Sequence, residues 1–212
     1  HNKGKGVMIG KMEDIEPRIV TVVGAGVAGT QSISKALDNN ALVKVLDTSE
    51  SKLQALEKEF GSKNIEYIIS TNDSVQTSIN DSDLVIGSVY VVGKEAPKVV
   101  SKDMLISMKP GTVMVDVSID QGGCFESSKP TTHDNPTFVK NDIVHYCVTN
   151  MPGAVPLTAT EALNKVTLSY IENLANKGID KALAEDKHLR NGLNIQHGTI
   201  THQGVKDSLE KF

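Results

Sequence analysis

The chain has 212 residues, of which 39% are hydrophobic and 23% charged. That is ordinary soluble-protein composition, with enough apolar material for a full core and no need of a disulfide or metal to fold. A domain is typically roughly 100–200 residues, so the length leaves room for one domain and part of another. The 22 Lys and Arg against 26 Asp and Glu give a net charge of −4. No basic face of the kind a nucleic-acid binder carries is expected. The two cysteines, Cys124 and Cys147, are too few for a disulfide framework or a zinc site and are expected to be reduced. No stretch reaches the roughly 18 consecutive apolar residues of a membrane span, and no signal peptide opens the chain, so a cytoplasmic protein is expected. The first residue is His1 rather than Met, which suggests a processed, tagged or truncated piece.

Residues 1–17 read as a linker or loop ending at Pro17. Short apolar runs then alternate with helical patterns. Ile19–Val23 predicts a strand, and a helix follows from about Ala28 to Asp38. Ala41–Leu46 predicts a second strand. Ser49 caps a helix to about Phe60, with Leu53, Leu56 and Phe60 on one face and Gly61 as its stop. Ile65–Ile69 and Asp83–Gly87 are the next strands, with a short helix marked by Val75 and Ile79 between them. A helix at Lys102–Met108 ends at Pro110-Gly111. Thr112–Val117 and Ile143–Val148 complete six strands. Their apolar runs are nearly continuous, as in strands buried on both faces of a parallel sheet. The expected fold is therefore α/β, a Rossmann-like doubly wound parallel sheet spanning 18–150. Beyond Pro156, Leu163, Val166, Tyr170 and Leu174 recur at helical spacing. This predicts one long amphipathic helix ending at Lys177-Gly178, followed by a polar tail with short helical pieces. Residues 151–212 are too few to build their own core, so they are expected to return to a substrate domain that is incomplete here.

The sharpest local signal is Gly24-Ala25-Gly26-Val27-Ala28-Gly29. The bare G-x-G-x-x-G spacing is weak evidence. Here it follows a predicted strand, opens a predicted helix, and precedes a second strand ending in Asp47, which is the context of a dinucleotide-binding unit. Gly24 permits the tight turn, Gly26 lets a pyrophosphate approach the backbone, and Gly29 lets helix and strand pack closely. The phosphate then meets the positive helix N-terminus. Asp47 would accept hydrogen bonds from the adenosine ribose and repel a 2′-phosphate, so NAD is expected over NADP. Lys52 lies near the adenosine end and is as readily a solvated helix lysine.

Ligands of open α/β sheets bind beyond the carboxyl ends of the strands. The residues there include Ser70, Ser88, Val89 and Tyr90, the run Ser118-Ile119-Asp120-Gln121-Gly122-Gly123, and the run beginning at Thr149-Asn150-Met151. Asp120 is the notable one. Beside the nicotinamide end it would act as a general base or orient a water or amine; as a loop aspartate it would simply cap a turn, and position alone does not separate these. His145 alternates within a strand pattern and reads as packed. His133 is likewise a weaker catalytic candidate than Asp120; His197 and His202 lie in the polar tail with no partner at metal-ligand spacing, and no metal site is expected.

These residues resemble the NAD-dependent alanine dehydrogenases along almost the whole chain. The resemblance rests on the fingerprint at 24–29, on Val115-Asp116-Val117-Ser118-Ile119-Asp120-Gln121-Gly122-Gly123, on Thr131-Thr132-His133-Asp134, and on Asn150-Met151-Pro152-Gly153-Ala154-Val155-Pro156. It implies interconversion of L-alanine, NAD⁺ and water with pyruvate, ammonium and NADH. It also implies cofactor contacts at Asp47, Lys52, Ser70, Val89, Tyr90, Val117, Ser118, Ile119, Asp120, Val148, Thr149, Asn150 and Met151, with Lys129 a weaker carry-over. Asp120 matches the family's active-site aspartate. A cytoplasmic homo-oligomer, usually a hexamer, is implied, with no nucleic-acid or membrane partner. Val92 stands where many members have Pro, and Leu157 where many have Arg.

Members of that family also carry a long N-terminal segment that supplies most of the substrate domain, whereas only 23 residues precede Gly24 here. The resemblance therefore implies an NAD-binding portion with little or no turnover alone, taking L-alanine or pyruvate only together with that segment. Two alternatives are the NAD-binding part of a transhydrogenase subunit, which the Asn-Met-Pro-Gly-Ala-Val-Pro string argues against, and a non-catalytic nucleotide-binding fragment.

Overall fold

The computed structural model describes residues 3–209. The fingerprint region folds as β1 (Ile19–Val23), α1 (Val27–Asp38), β2 (Leu42–Asp47), α2 (Glu50–Phe60) and β3 (Ile65–Ile69). Ser49 caps α2 by accepting from the Lys52 N–H, and Gly61 ends the helix with φ +72°. α3 (Asn72–Asn80) opens with a reciprocal Thr71–Ser74 capping box. Then follow β4 (Leu84–Gly87), β5 (Val113–Asp116), β6 (Thr137–Lys140) and β7 (Ile143–Tyr146).

One seven-stranded sheet results, in the order β3-β2-β1-β4-β5-β7-β6. All neighbours are parallel except β6, which runs antiparallel to β7. β1 and β4 are adjacent interior strands, and the chain winds outward from them in opposite directions. The reversal of strand order between β1 and β4 is the topological switch point of a Rossmann-like α/β fold. Val20, Val22, Val43, Val45, Ile33, Leu53 and Leu56 form one apolar cluster, and Val23, Leu46, Val85, Met114, Leu105, Phe125 and Ile143 form another, so that alternate residues of β1 and β2 enter opposite clusters. The continuous apolar strands are thus covered on both faces.

Three local expectations are corrected. The stretch read as a helix at Lys102–Met108 is a 3-10 turn at Asp103–Ser107, closed by i→i+3 bonds from the Leu105 and Met108 N–H groups. The last parallel strand stops at Tyr146, because Val148 leaves the ladder to bridge Thr131. A strand was also unanticipated: β6 is joined to β7 by Asn141-Asp142 with φ +50° and +58°, a two-residue turn whose twist suits a hairpin.

Residues 3–17 form no helix, but Lys5 is anchored. Its ammonium lies 2.9 Å from Asp83 and donates to the Ser82 carbonyl, while Asp83 accepts the Ile19 N–H. Burial pushes the Asp83 carboxyl up, but the Lys5 and Ile19 bonds outweigh it and hold it below its ordinary range.

The chain divides into two compact units. The first comprises residues up to Val91 together with Ala96–Thr149; the second comprises Val92–Glu95 and the residues from Asn150 onward. The second unit contains α4 (Pro156–Lys177), α5 (Ile179–Glu185), α6 (Lys187–Asn191), a small hairpin of β8 (Ile195–Gln196) and β9 (Thr199–Ile200), and α7 (Gln203–Leu209). Lys94 pairs with Asp207 at 2.8 Å, and the Ser208 hydroxyl donates to the Gly93 carbonyl, so α7 holds the 92–95 segment. α4 is a 22-residue helix with no buried side chain; Leu163 and Val166 of its apolar stripe are 61% and 63% exposed.

Candidate functional site

A cleft of about 860 Å³ opens in the first unit beyond the carboxyl ends of β1, β2, β4 and β5. Its size suits a bound ligand. The glycines are placed there by steric need. Gly24 has φ +105°, and a Cβ on it would lie 2.7 Å from the Ser88 carbonyl oxygen. A Cβ on Gly29 would lie 1.9 Å from the Gly24 carbonyl oxygen and 2.8 Å from Ser88 Oγ. At Gly26 a Cβ would meet nothing, because that position faces the open cleft. Gly26 is also the N-cap of α1 and offers no capping side chain, and the first turn of α1 holds no acidic residue. The first N–H groups of α1 thus face the cleft unsatisfied by any side chain, as an anion-binding helix end requires.

Asp47 ends β2 with its carboxylate 9% exposed. One oxygen accepts the Ala25 N–H at 2.8 Å and lies 3.7 Å from the Lys52 ammonium; the other accepts the Ser49 N–H at 2.8 Å. This carboxylate braces the glycine loop against β2 and still borders the cleft.

Of the positions singled out in the sequence, Gly24, Gly26, Val27, Ala28, Asp47, Lys52, Ser70, Val89, Tyr90, Val117 and Ser118 line this one cleft. Ala25 and Gly29 lie beneath it, as a donor to Asp47 and as a packing contact. Ile119 is buried, and Asp120 is exposed on a 3-10 turn at Ile119–Gln121. Lys129 lies outside the lining, with its ammonium 4.4 Å over the Phe138 ring. Val148 is buried and Thr149 exposed, whereas Asn150 and Met151 belong to the second unit. His145 is fully buried, as a packed histidine should be: Ser127 Oγ lies 2.7 Å from Nε2, the Ile143 carbonyl 3.1 Å from Nδ1, and Phe138 stacks on the ring. A carbonyl can only accept, so the proton sits on Nδ1. Burial holds this imidazole below its ordinary pKa.

Sequence reasoning placed Ser88 beyond the end of β4 but gave it no role; its hydroxyl donates to the Gly24 carbonyl at 2.8 Å and so locks the first glycine turn to β4. Sequence reasoning passed over Asp116, fully buried at the end of β5, which gathers donors from the segment 118–128. Burial and the Asp116 charge push the Cys124 thiol well above its ordinary range, and burial raises the Cys147 thiol.

The family model described as "Alanine dehydrogenase/PNT, C-terminal domain" matches residues 1–203. The chain belongs to this family. Its domains bind NAD, and the uncapped α1 terminus, the open face of Gly26 and the Asp47 carboxylate suit that cofactor. An alanine dehydrogenase of Halomonas elongata is 46% identical over 205 residues, 97% of this chain and 55% of that protein. "Alanine dehydrogenase 2" of Staphylococcus aureus (strain USA300) is 43% identical over 210 residues, 99% of this chain and 56% of that one. A solved L-alanine dehydrogenase superposes with a TM-score of 0.86 at 41% identity, covering 99% of this chain and 57% of its own. A transhydrogenase from Sinorhizobium meliloti shares the fold, with a TM-score of 0.73 at 23% identity over 93% of this chain and 54% of its own. The chain thus spans about half the length of the relatives it matches.

Proposed function

We propose that these residues form the NAD(H)-binding portion of an alanine dehydrogenase, which oxidises L-alanine to pyruvate and ammonium and runs in reverse. The observation that carries this reading is the continuity of the cleft, from Asp47 and Lys52 at one end, past the α1 N-terminus at Gly26, to Val117 and Ser118 across the switch point. That order matches adenosine, diphosphate and nicotinamide in turn. The chain's identity to alanine dehydrogenases, 41–46% against 23% for the transhydrogenase, favours this chemistry over hydride exchange between two nicotinamide nucleotides.

When bound, NAD supplies the hydride acceptor, and the protein supplies orientation and proton handling. In this reading the N–H groups at the start of α1 neutralise the diphosphate. Asp47 accepts from the ribose hydroxyls, and Lys52 flanks the adenosine. Ser118, Ile119 and Asp120 border the reacting end, where Asp120 orients or deprotonates the amine or the attacking water. Lys129, Val148, Thr149, Asn150 and Met151 are proposed as further contacts of the assembled site. The exposed apolar stripe of α4 supports residues 151–212 acting as the return to a substrate domain, with residues 18–150 as the nucleotide domain. We assign the working enzyme to the cytoplasm as a homo-oligomer, in keeping with two free thiols. Among the described residues no helix is long and apolar enough to cross a membrane.

The test is a calorimetric titration of the 212-residue chain with NADH, alongside alanine-dependent NADH formation. Binding with turnover at or near background is expected. Absence of NADH binding would refute the reading, and full alanine oxidation by these residues alone would refute their dependence on a further substrate domain.

A further inference from the structure

The segment 118–123 carries Ser118 into the cleft wall and Asp120 beside it, yet its backbone is intrinsically loose. Gly122 and Gly123 both sit at positive φ, +88° and +76°, and glycine gives up more conformational freedom on folding than any other residue. Asp116 and Lys98 bind this segment with opposite polarity. The Asp116 carboxylate accepts the Ser118 N–H at 3.1 Å at its start, and the Cys124 N–H at 2.9 Å and Phe125 N–H at 3.2 Å just past its end. Ser128 Oγ donates to the same carboxylate at 2.5 Å, and Cys124 Sγ lies 3.4 Å from it. The Lys98 ammonium donates to the Gly122 and Gly123 carbonyls at 2.5 and 2.6 Å. The Lys98 segment is itself zipped to the loop, through Ala96 N–H to the Gln121 carbonyl and Val99 N–H to the Cys124 carbonyl. A Cβ on Gly123 would lie 2.8 Å from Asp116 Oδ2, so carboxylate and loop touch.

We infer that Asp116 and Lys98 are positioning residues: an anion taking the loop's N–H groups and a cation taking its carbonyls together preset Ser118 and Asp120 for the nicotinamide half of the cofactor. A loop held in its working shape before binding spares the ligand the cost of ordering it. The effect is confined to one end of the cleft, because Asp47 and the α1 terminus are held by other bonds. This inference rests on the proposed NAD-binding reading.

The experiment titrates the full 212-residue chain with NADH and with ADP, which occupies only the adenosine and phosphate half, for the wild type, Lys98→Met, Asp116→Asn and Ser128→Ala. Lys98→Met and Asp116→Asn are expected to weaken NADH by about tenfold while ADP stays within about twofold, the loss expected when ordering of one loop is charged to binding. Ser128→Ala removes one donor and gives a smaller loss of the same selectivity. If Asp116→Asn does not fold, Lys98→Met and Ser128→Ala decide alone. Variants that bind NADH like the wild type, or that lose NADH and ADP equally, overturn the inference. A wild type that binds neither ligand would instead overturn the NAD-binding reading itself.

Discussion

Replacing Asp47 with Ala tests the adenosine end of the site, and the structure separates two consequences. The first concerns folding. Ala25 N–H and Ser49 N–H lose acceptors at 2.8 Å. The Ala25 group is buried, so stranding it costs about 1–3 kcal/mol; Ser49 stands at a helix start where water can replace the carboxylate. At roughly 2–4 °C per kcal/mol for a chain of this size, the thermal midpoint should fall by roughly 2–12 °C. The second concerns binding. Loss of charge-assisted bonds to the ribose hydroxyls should weaken NADH by roughly 1–3 kcal/mol, or about five- to 150-fold. Fluorescence titration well below the midpoint measures the second without the first. Asp47→Ser should also narrow the preference for NADH over NADPH, because the Lys52 ammonium, 3.7 Å from the vanished carboxylate, becomes available to a 2′-phosphate. A folded Asp47→Ala with unchanged NADH affinity would remove Asp47 from the site and with it the directional reading of the cleft.

Gly26→Ala and Gly29→Ala should part company. The first meets open space and should keep the thermal midpoint while weakening NADH; the second drives a methyl into the Gly24 carbonyl and should destabilise by about 1–3 kcal/mol or prevent folding. Equal midpoints for the two variants would contradict the packing described. His145 is held neutral in the fold, its pKa below that of the unfolded chain, so the unfolded state takes up the proton first. Stability is therefore complete above about pH 6.5 and declines as pH falls below that value, and His145→Phe should flatten this part of a stability–pH curve. An unchanged slope would mean that another group titrates there. Cys124 and Cys147 are buried with raised pKa values, so a thiol reagent should modify them only on unfolding. Prompt labelling of the native chain would disprove this.

The central sheet was legible because Val20–Val23, Val43–Leu46 and Val113–Val115 are nearly continuous apolar runs, interrupted only by Thr21 and Lys44, a pattern that two-sided burial explains. The glycine loop was legible because each glycine has a local steric reason. β6 escaped notice because half-exposed Thr137–Lys140 carries a weak pattern and its turn signal, Asn141-Asp142, lies inside what reads as loop. The 102–108 helix was a wrong choice of period in a segment too short to distinguish α from 3-10. Asp116 and Lys98 were invisible as a pair because their partners are backbone and side-chain groups of an irregular loop, which obey no periodicity. The length of α4 could be read from its stripe, but its lack of any buried side chain could not.

The position of β1 sets an order of events during synthesis. Of the strands of this sheet it is the first to be synthesised, yet it lies in the sheet's interior, paired to β2 on one side and β4 on the other. Until the ribosome has delivered Gly87, one long edge of an almost wholly apolar strand has no neighbour, and such edges recruit other chains. Nascent chains halted after α3 should therefore scatter light or bind a chaperone, whereas chains that include β4 and β5 should not. The glycine turn shares this fate, since Ser88 must arrive from the far side of β1 before Gly24 is locked. The nucleotide pocket is accordingly a late product of folding, although its glycine signature is synthesised before most of the sheet that completes it.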